Sequence, residues 1–218
     1  MLDVGPRPRA GGGGARGGAG RRRAATRRRR RLLLLGIAAL AVGLGVVLTM
    51  PLLRKAVDEF SLPLRYADVI RAQAAEKHLD PALIAGVIYA ETKFAPRDSA
   101  AGAMGPMQIM PQTASFLARR SGARTFTTSD LNTPAVNIAY GSYYLRYLLD
   151  EYGGNVTLAL AAYNGGESNV NRWVAQVRAD GRKFAVSDIP FPETRAYVLR
   201  VLQAQREYRH RYASQLYG

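Results

Sequence analysis

The chain of 218 residues contains no cysteine and only two histidines, His78 and His210. Disulfides and thiolate metal sites are therefore excluded, and two imidazoles alone do not make a zinc site, so neither a metal nor a cofactor is expected. Acids are scarce as well: 16 Asp and Glu stand against 31 Lys and Arg, giving a formal net charge of +15. Any chemistry that needs carboxylates must work with few of them. Internal repeats and convincing pairs of strand signals are also lacking.

Residues 1–31 lack almost all apolar side chains and consist mainly of Gly, Ala, Pro and Arg. Such a composition cannot offset the entropy of ordering a backbone, so a disordered arm is expected. Eleven arginines lie in it (Arg7, Arg9, Arg16, Arg21 to Arg23 and Arg27 to Arg31) against one acid, Asp3, so the arm holds +10 of the net charge. It has no interleaved aromatics and no folded reader, which argues against nucleic acid as a partner. A topology signal and attraction to anionic cytoplasmic lipid fit it better.

What the arm lacks, the next segment supplies. Residues 32–53 run for 22 positions without a charge between Arg31 and Arg54. About 20 apolar residues cross the hydrocarbon layer as a helix, so one transmembrane span is expected, and the run has no polar face of the kind a soluble helix shows. The arginines before it place the N-terminus in the cytoplasm and everything after Arg54 outside. The run is longer than the apolar region of a cleaved signal peptide, and Thr49-Met50-Pro51-Leu52-Leu53 offers no convincing small-x-small site. The expected arrangement is an uncleaved signal-anchor, a linker over 54–63 and an outer domain over 64–218.

The outer domain reads as all-α. An amphipathic stretch runs from about Leu64 to His78, with Tyr66, Val69, Ile70 and Ala74 at helical spacing. Asp80-Pro81 pairs a capping residue with Pro at the first helical position, opening a helix to about Glu91. Residues 95–110 form an ordered loop with Gly102, Gly105 and Pro106, and a short helix follows over 111–118. Thr133-Pro134 opens what is expected to be the longest helix, ending near Tyr152. Asn155 caps another to Tyr163, stopped at Gly165-Gly166, and a last one runs from near Pro192 to about Tyr212.

Every residue from Pro81 to Ala90 is uncharged, and Glu91 follows Ile84 by seven, Val87 by four and Ile88 by three. That spacing places its carboxylate on the buried stripe, at a helix C-terminus whose partial charge disfavours another negative group. Burial and the helix end both raise a carboxyl pKa, and a carboxyl protonated near neutral pH can act as a general acid. Position alone leaves a second reading open, in which Glu91 marks where the helix surfaces.

Four blocks around and beyond Glu91 bear on that choice. Glu91-Thr92-Lys93-Phe94 is followed by Ser99-Ala100-Ala101-Gly102-Ala103-Met104-Gly105-Pro106-Met107-Gln108-Ile109-Met110-Pro111, then by Ala162-Tyr163-Asn164-Gly165-Gly166 and Glu193-Thr194-Arg195-Ala196-Tyr197-Val198. In order and spacing they resemble the signature of the soluble lytic transglycosylase family, from about Leu64 to Tyr212. The resemblance implies a compact lysozyme-like helical domain, which the apolar run and the arginines before it would place outside a bacterial cytoplasmic membrane. Its substrate would be peptidoglycan, cut at the β-1,4 bond between N-acetylmuramic acid and N-acetylglucosamine without water.

By that resemblance Glu91 is the sole catalytic residue: it protonates the glycosidic oxygen, then takes a proton from the C6 hydroxyl of the same muramic sugar, leaving a 1,6-anhydro end. The acid inventory agrees, because hydrolytic glycosidases generally use a second carboxylate, and Asp98, beside Arg97 in a polar turn, is a poor candidate. Ser99, Gly105, Gln108, Met110, Tyr163, Asn164 and Tyr197 match substrate-binding positions. Read without the resemblance, Ser99 and Gln108 are structural, Asn164 belongs to a helix stop, and Tyr197 to the core. Gly102 and Gly105 serve equally as turn residues or as places where backbone amides approach a sugar. Met107 is expected in the core, while the Tyr163 ring suits a sugar platform and its hydroxyl is expected to reach the acid or the acetamido group.

Two positions depart from the family pattern: Thr92 stands where Ser is usual, keeping the hydroxyl, and Pro106 where Leu is usual, removing an amide donor. Cell-wall machinery is a candidate partner. A goose-type lysozyme, which would leave reducing ends, and a non-catalytic wall-binding scaffold are the competing functions.

Overall fold

The computed structural model describes residues 36, 40, 42–50, 62–95 and 99–218. The arginine arm, the linker up to 61, Asp98 and most of the ends of the apolar run lie outside the described residues. The chain divides into two units, Met1–Val57 and Asp58–Gly218. In the first, residues 42–50 are helical with exposed apolar side chains, Val47 and Leu48 among them. Among the described residues no helix is long and apolar enough to cross a membrane.

In the second unit the regular structure among the described residues is helical, apart from one isolated antiparallel bridge between Met104 and Ile109. The helices are α1 (Ala67–Lys77), α2 (Pro81–Thr92), α3 (Pro111–Ser121), α4 (Pro134–Glu151), α5 (Val156–Gly165), α6 (Glu167–Ala179), α7 (Pro192–Arg211) and α8 (Ala213–Tyr217), with short 3-10 turns at Thr128–Asn132 and Val186–Asp188. Local chemistry sets most of the starts. Pro occupies the first turn of α2, α3, α4 and α7, where its missing N–H costs nothing. Asp80 accepts from Ala82 N at 3.0 Å, and Asn155 accepts from Leu158 N at 3.1 Å.

Three expectations need correction. Helix α1 begins at Ala67 rather than near Leu64, because Tyr66 adopts a left-handed conformation (φ 59°) that breaks the helical path. Helix α4 is not the longest: α7 has 20 residues against its 18. The stop at Gly165-Gly166 hides a new start, since Gly166 (φ 83°) turns the chain directly into α6, which buries Val170, Trp173 and Val177 at helical spacing.

Helix α2 is the centre of the core. It is buried at every position from Pro81 to Ile88, which is why its sequence carries no charge there. Its main partner is α7, running antiparallel to it, and the contact is a backbone one: a Cβ on Gly86 would lie 3.0 Å from Val201 O and 3.1 Å from Gln205 N. A side chain there would push the α7 backbone away by a few tenths of an ångström. The consequence is positional, because with Gly86 seated at Val201 the C-terminal end of α2 lies beside Tyr197, bringing Glu91 and the last sequence block together.

Candidate active site

Glu91 sits in the last turn of α2, half-buried. Burial pushes its carboxyl up from the ordinary 4.5 to about 7, while the Tyr197 hydroxyl and the Arg200 charge pull the other way. A carboxyl in that range holds its proton at neutral pH and can also give it up, as acid and base work requires. No other acidic side chain among the described residues contributes to the shift.

Tyr197 is buried, with 3 % of its surface exposed. Its hydroxyl lies near Glu91 and acts on its titration, yet among the described residues it makes no hydrogen bond of normal geometry. Its ring stacks on Tyr163 at 6.5 Å and 10°, and Tyr144 leans on Tyr163 at 5.2 Å. Burial and then the Glu91 charge hold the hydroxyls of Tyr163 and Tyr197 well above the ordinary phenol value, so both stay protonated donors. The Tyr163 hydroxyl, however, donates to Met107 O at 2.8 Å rather than to the acid. The ring lines the chamber while the hydroxyl holds a loop.

The loop is the tight turn between the bridged Met104 and Ile109. Gly105 (φ 67°) and Gln108 (φ 49°) are both left-handed, an unusual state for Gln, and Gln108 Nε2 donates to Gly105 O at 2.9 Å. Side chains from three helices hold the turn. From α2, Thr92 Oγ1 donates to Pro106 O at 2.9 Å, so the proline that removes a donor still supplies an acceptor. From α5 comes Tyr163. From α4, Asn137 accepts from Met107 N at 2.8 Å and donates to Met104 O at 2.7 Å and Leu131 O at 3.2 Å. A Cβ on Gly105 would overlap Asn137, lying 2.6 Å from its Cγ, and one on Gly141 would lie 2.7 Å from Met107 Cβ. Gly105 is thus required by packing and Met107 is core, as expected of it.

Ser99 closes a turn of its own: its hydroxyl accepts from Ala103 N at 2.9 Å. Gln108, Met110, Tyr163 and Asn164 instead come together around an open chamber of about 320 Å³, shared with Tyr144 and Thr113. The eight residues singled out in the sequence therefore divide. Glu91, Tyr163 and Tyr197 form the ionisable cluster, Gln108, Met110 and Asn164 line the chamber with Tyr163, and Ser99 and Gly105 shape the loop between.

Asn137 and Tyr144 escape a reading of the sequence. A signal for Asn137 is nevertheless present: a lone amide on the same helix face as Gly141, beside Ile138, must find partners if buried. Among the described residues no group of His, Asp and Glu could hold a metal ion.

Comparison with known proteins bears on this arrangement. Residues 68–185 match the Transglycosylase SLT domain family. The soluble lytic murein transglycosylase of Salmonella typhimurium is 35% identical over 156 residues, covering 70% of this chain and 24% of that protein. Membrane-bound lytic murein transglycosylase C of Histophilus somni is 31% identical, covering 66% of this chain and 46% of its own length. The solved structure of an inactive Glu-to-Gln variant of lytic transglycosylase Slt from Pseudomonas aeruginosa is 31% identical, with a TM-score of 0.66 over 72% of this chain and 26% of that one. The chain thus spans about a quarter of the soluble relatives it matches, and it belongs to the transglycosylase SLT domain family.

Proposed function

We propose that the chain is a membrane-anchored peptidoglycan lytic transglycosylase in which Glu91 serves as acid and then as base. The observation that carries this reading is the Glu91 carboxyl, raised to about 7 at the end of a buried helix and facing the Tyr163–Tyr197 stack. Glu91 donates its proton to the glycosidic oxygen as the bond to C1 of the muramic sugar breaks. The C6 oxygen of the same sugar then bonds to C1 and its proton passes to Glu91, restoring the acid. Atoms balance without water. Gln108, Met110, Tyr163 and Asn164 would hold the sugar rings in the chamber, Ser99 and Gly105 would shape the loop above them, and the Tyr197 hydroxyl would steady the carboxylate between the two steps.

The apolar run 32–53 supports a single-pass anchor with the N-terminus in the cytoplasm and the domain from 64 onward outside. The helical stretch 42–50, with its exposed Leu and Val side chains, fits such a span, and membrane-bound relatives exist. The arginine arm is a topology signal rather than a nucleic-acid reader, and cell-wall machinery is the expected protein partner.

Mass spectrometry of digested peptidoglycan tests the chemistry. Anhydro-muramic ends are expected; reducing ends would identify a hydrolase instead.

A further inference from the structure

The cleft does not stop at the chamber lined by Gln108 and Met110. Beyond Tyr144, Thr113 and Gly166, which line both, it opens into a second chamber of about 410 Å³. The two differ in chemistry. The first is walled by apolar and neutral polar groups alone, suited to an uncharged ring rich in hydroxyls. The second adds the rings of Phe116 and Tyr147 and one carboxylate, Glu167.

Glu167 is the first residue of α6, and a helix N-terminus favours an acid there. That accounts for an acid but not for where it reaches. Its side chain turns across to α4, where the Tyr147 hydroxyl donates to it at 3.2 Å. After burial, its charge is the next cause that lifts the hydroxyls of Tyr144, Tyr147 and Tyr152 above the ordinary phenol value, which places the carboxylate among three tyrosines. In a chain with nearly twice as many bases as acids, Glu167 makes no ion pair among the described residues. Arg120 lies over the face of the same Tyr147 ring at 5.0 Å and makes no ion pair with Glu167.

A carboxylate without a counter-ion, beside aromatic rings in an open groove, is a receptor for a cation. We infer that the second chamber binds a primary ammonium group carried by the substrate strand, with Glu167 as its counter-ion and the Phe116 and Tyr147 rings as the wall for the carbons that bear it. Ser168 and Gln112, also on the lining, supply oxygen acceptors for the remaining N–H groups. This rests on the reading of the chain as a glycan-strand transglycosylase. Two parts of such a strand could carry the ammonium: a hexosamine that has lost its acetyl group, or a diamino acid in the peptide branch.

The test compares two substrate pairs with the full-length protein in detergent. One pair is peptide-free strands, fully N-acetylated or partly deacetylated; the other is peptide-bearing strands with the side-chain amines free or chemically acetylated. In at least one pair the amine-bearing member should have the higher kcat/KM by about tenfold, mainly through KM, and the pair that responds identifies the source. Glu167→Gln should bring that ratio close to one, while Glu167→Asp, which keeps the charge, should retain more of it. No preference in either pair, or a preference that survives Glu167→Gln, overturns the inference, as does equal loss in both variants. If wild-type protein cleaves no strand at all, the proposed activity falls, and calorimetric binding of the same four substrates decides the inference by the same ratios.

Discussion

Helix α2 carries a carboxylate at each end, and the fold treats the two in opposite ways. Asp80, at the N-terminus, is partly buried, which alone would raise its pKa; hydrogen bonds from Tyr217, Gln205, Arg209 and Ala82 N outweigh that and hold it below 3.8. Glu91, at the C-terminus, is also partly buried but has only the Tyr197 hydroxyl and the Arg200 charge against desolvation, and it rises to about 7. The helix dipole points the same way at both ends, favouring the charged form at the start and the neutral form at the finish. Burial by itself therefore does not make a catalytic acid. What separates the two is the supply of donors: the Asp80 end collects them from α7 and α8, whereas at the Glu91 end Thr92 and Tyr163 turn theirs onto the loop.

Removing the acid is the hardest test of that contrast. Glu91→Gln should lower the formation of anhydro ends by about 10²- to 10⁴-fold, measured by mass spectrometry of digested strands, with retained glycan binding. An unchanged rate would falsify the assignment of Glu91.

The loop beside Glu91 comes next in size. Asn137→Ala would strand Met107 N and the carbonyl of Leu131 without their partner in the core, while the Met104 carbonyl would keep its bond from Ile109 N. Each such group costs on the order of 1–3 kcal/mol, so a large drop in the denaturant midpoint is expected, together with a loss of activity through displacement of Gln108.

Stability against pH should show the two ends of α2 with opposite slopes. The folded-state pKa of Glu91 is raised, so its contribution is full below 4.5 and is lost as pH rises through about 7. Glu91→Gln should accordingly be more stable than wild type at pH 8, by on the order of 2 kcal/mol, and no more stable near pH 4. The folded-state pKa of Asp80 is depressed, so its contribution is present above 3.8 and is lost as pH falls through the lowered value. Asp80→Asn should cost about 1 kcal/mol at neutral pH, with the difference shrinking in acid. Parallel slopes for the two variants in urea titrations would break the comparison.

The smallest effect should come from Tyr197→Phe. It removes a hydroxyl that pulls the Glu91 pKa down, so the falling limb of the kcat/KM profile, set by loss of the acid form around pH 7, should move upward. A limb that stays in place would show that the hydroxyl does not act on the carboxyl.

Much of the fold and of the site is legible in the order of the residues. Asp80-Pro81, Thr133-Pro134 and Asn155 announce helix starts because capping is settled within a few residues. The carboxylate at the end of an uncharged helix is visible from spacing, and its raised pKa follows from the burial that the spacing implies. Helix α6 is obscured because Gly165-Gly166 is a stop and a restart at once, with no side-chain cap to mark the second role. The loop contacts of Ser99 with Ala103 N and of the Tyr163 hydroxyl with Met107 O are not visible in the order of the residues, because each is settled by how the loop packs.

The sequence by itself determined the starts of α2, α4, α5 and α7, the uncharged run of α2, and that Glu91 would stand on its apolar stripe among few other acids. These are local matters of capping, periodicity and composition. Only the tertiary structure decided that α7 lies against Gly86 closely enough to bring Tyr197 to Glu91, that Asn137 holds the loop carrying Gln108, and that the donors gather at Asp80 rather than at Glu91. The reason is physical: hydrogen-bond partners and close backbone approach join residues far apart in the chain, and a single sequence does not state which distant groups will satisfy one another.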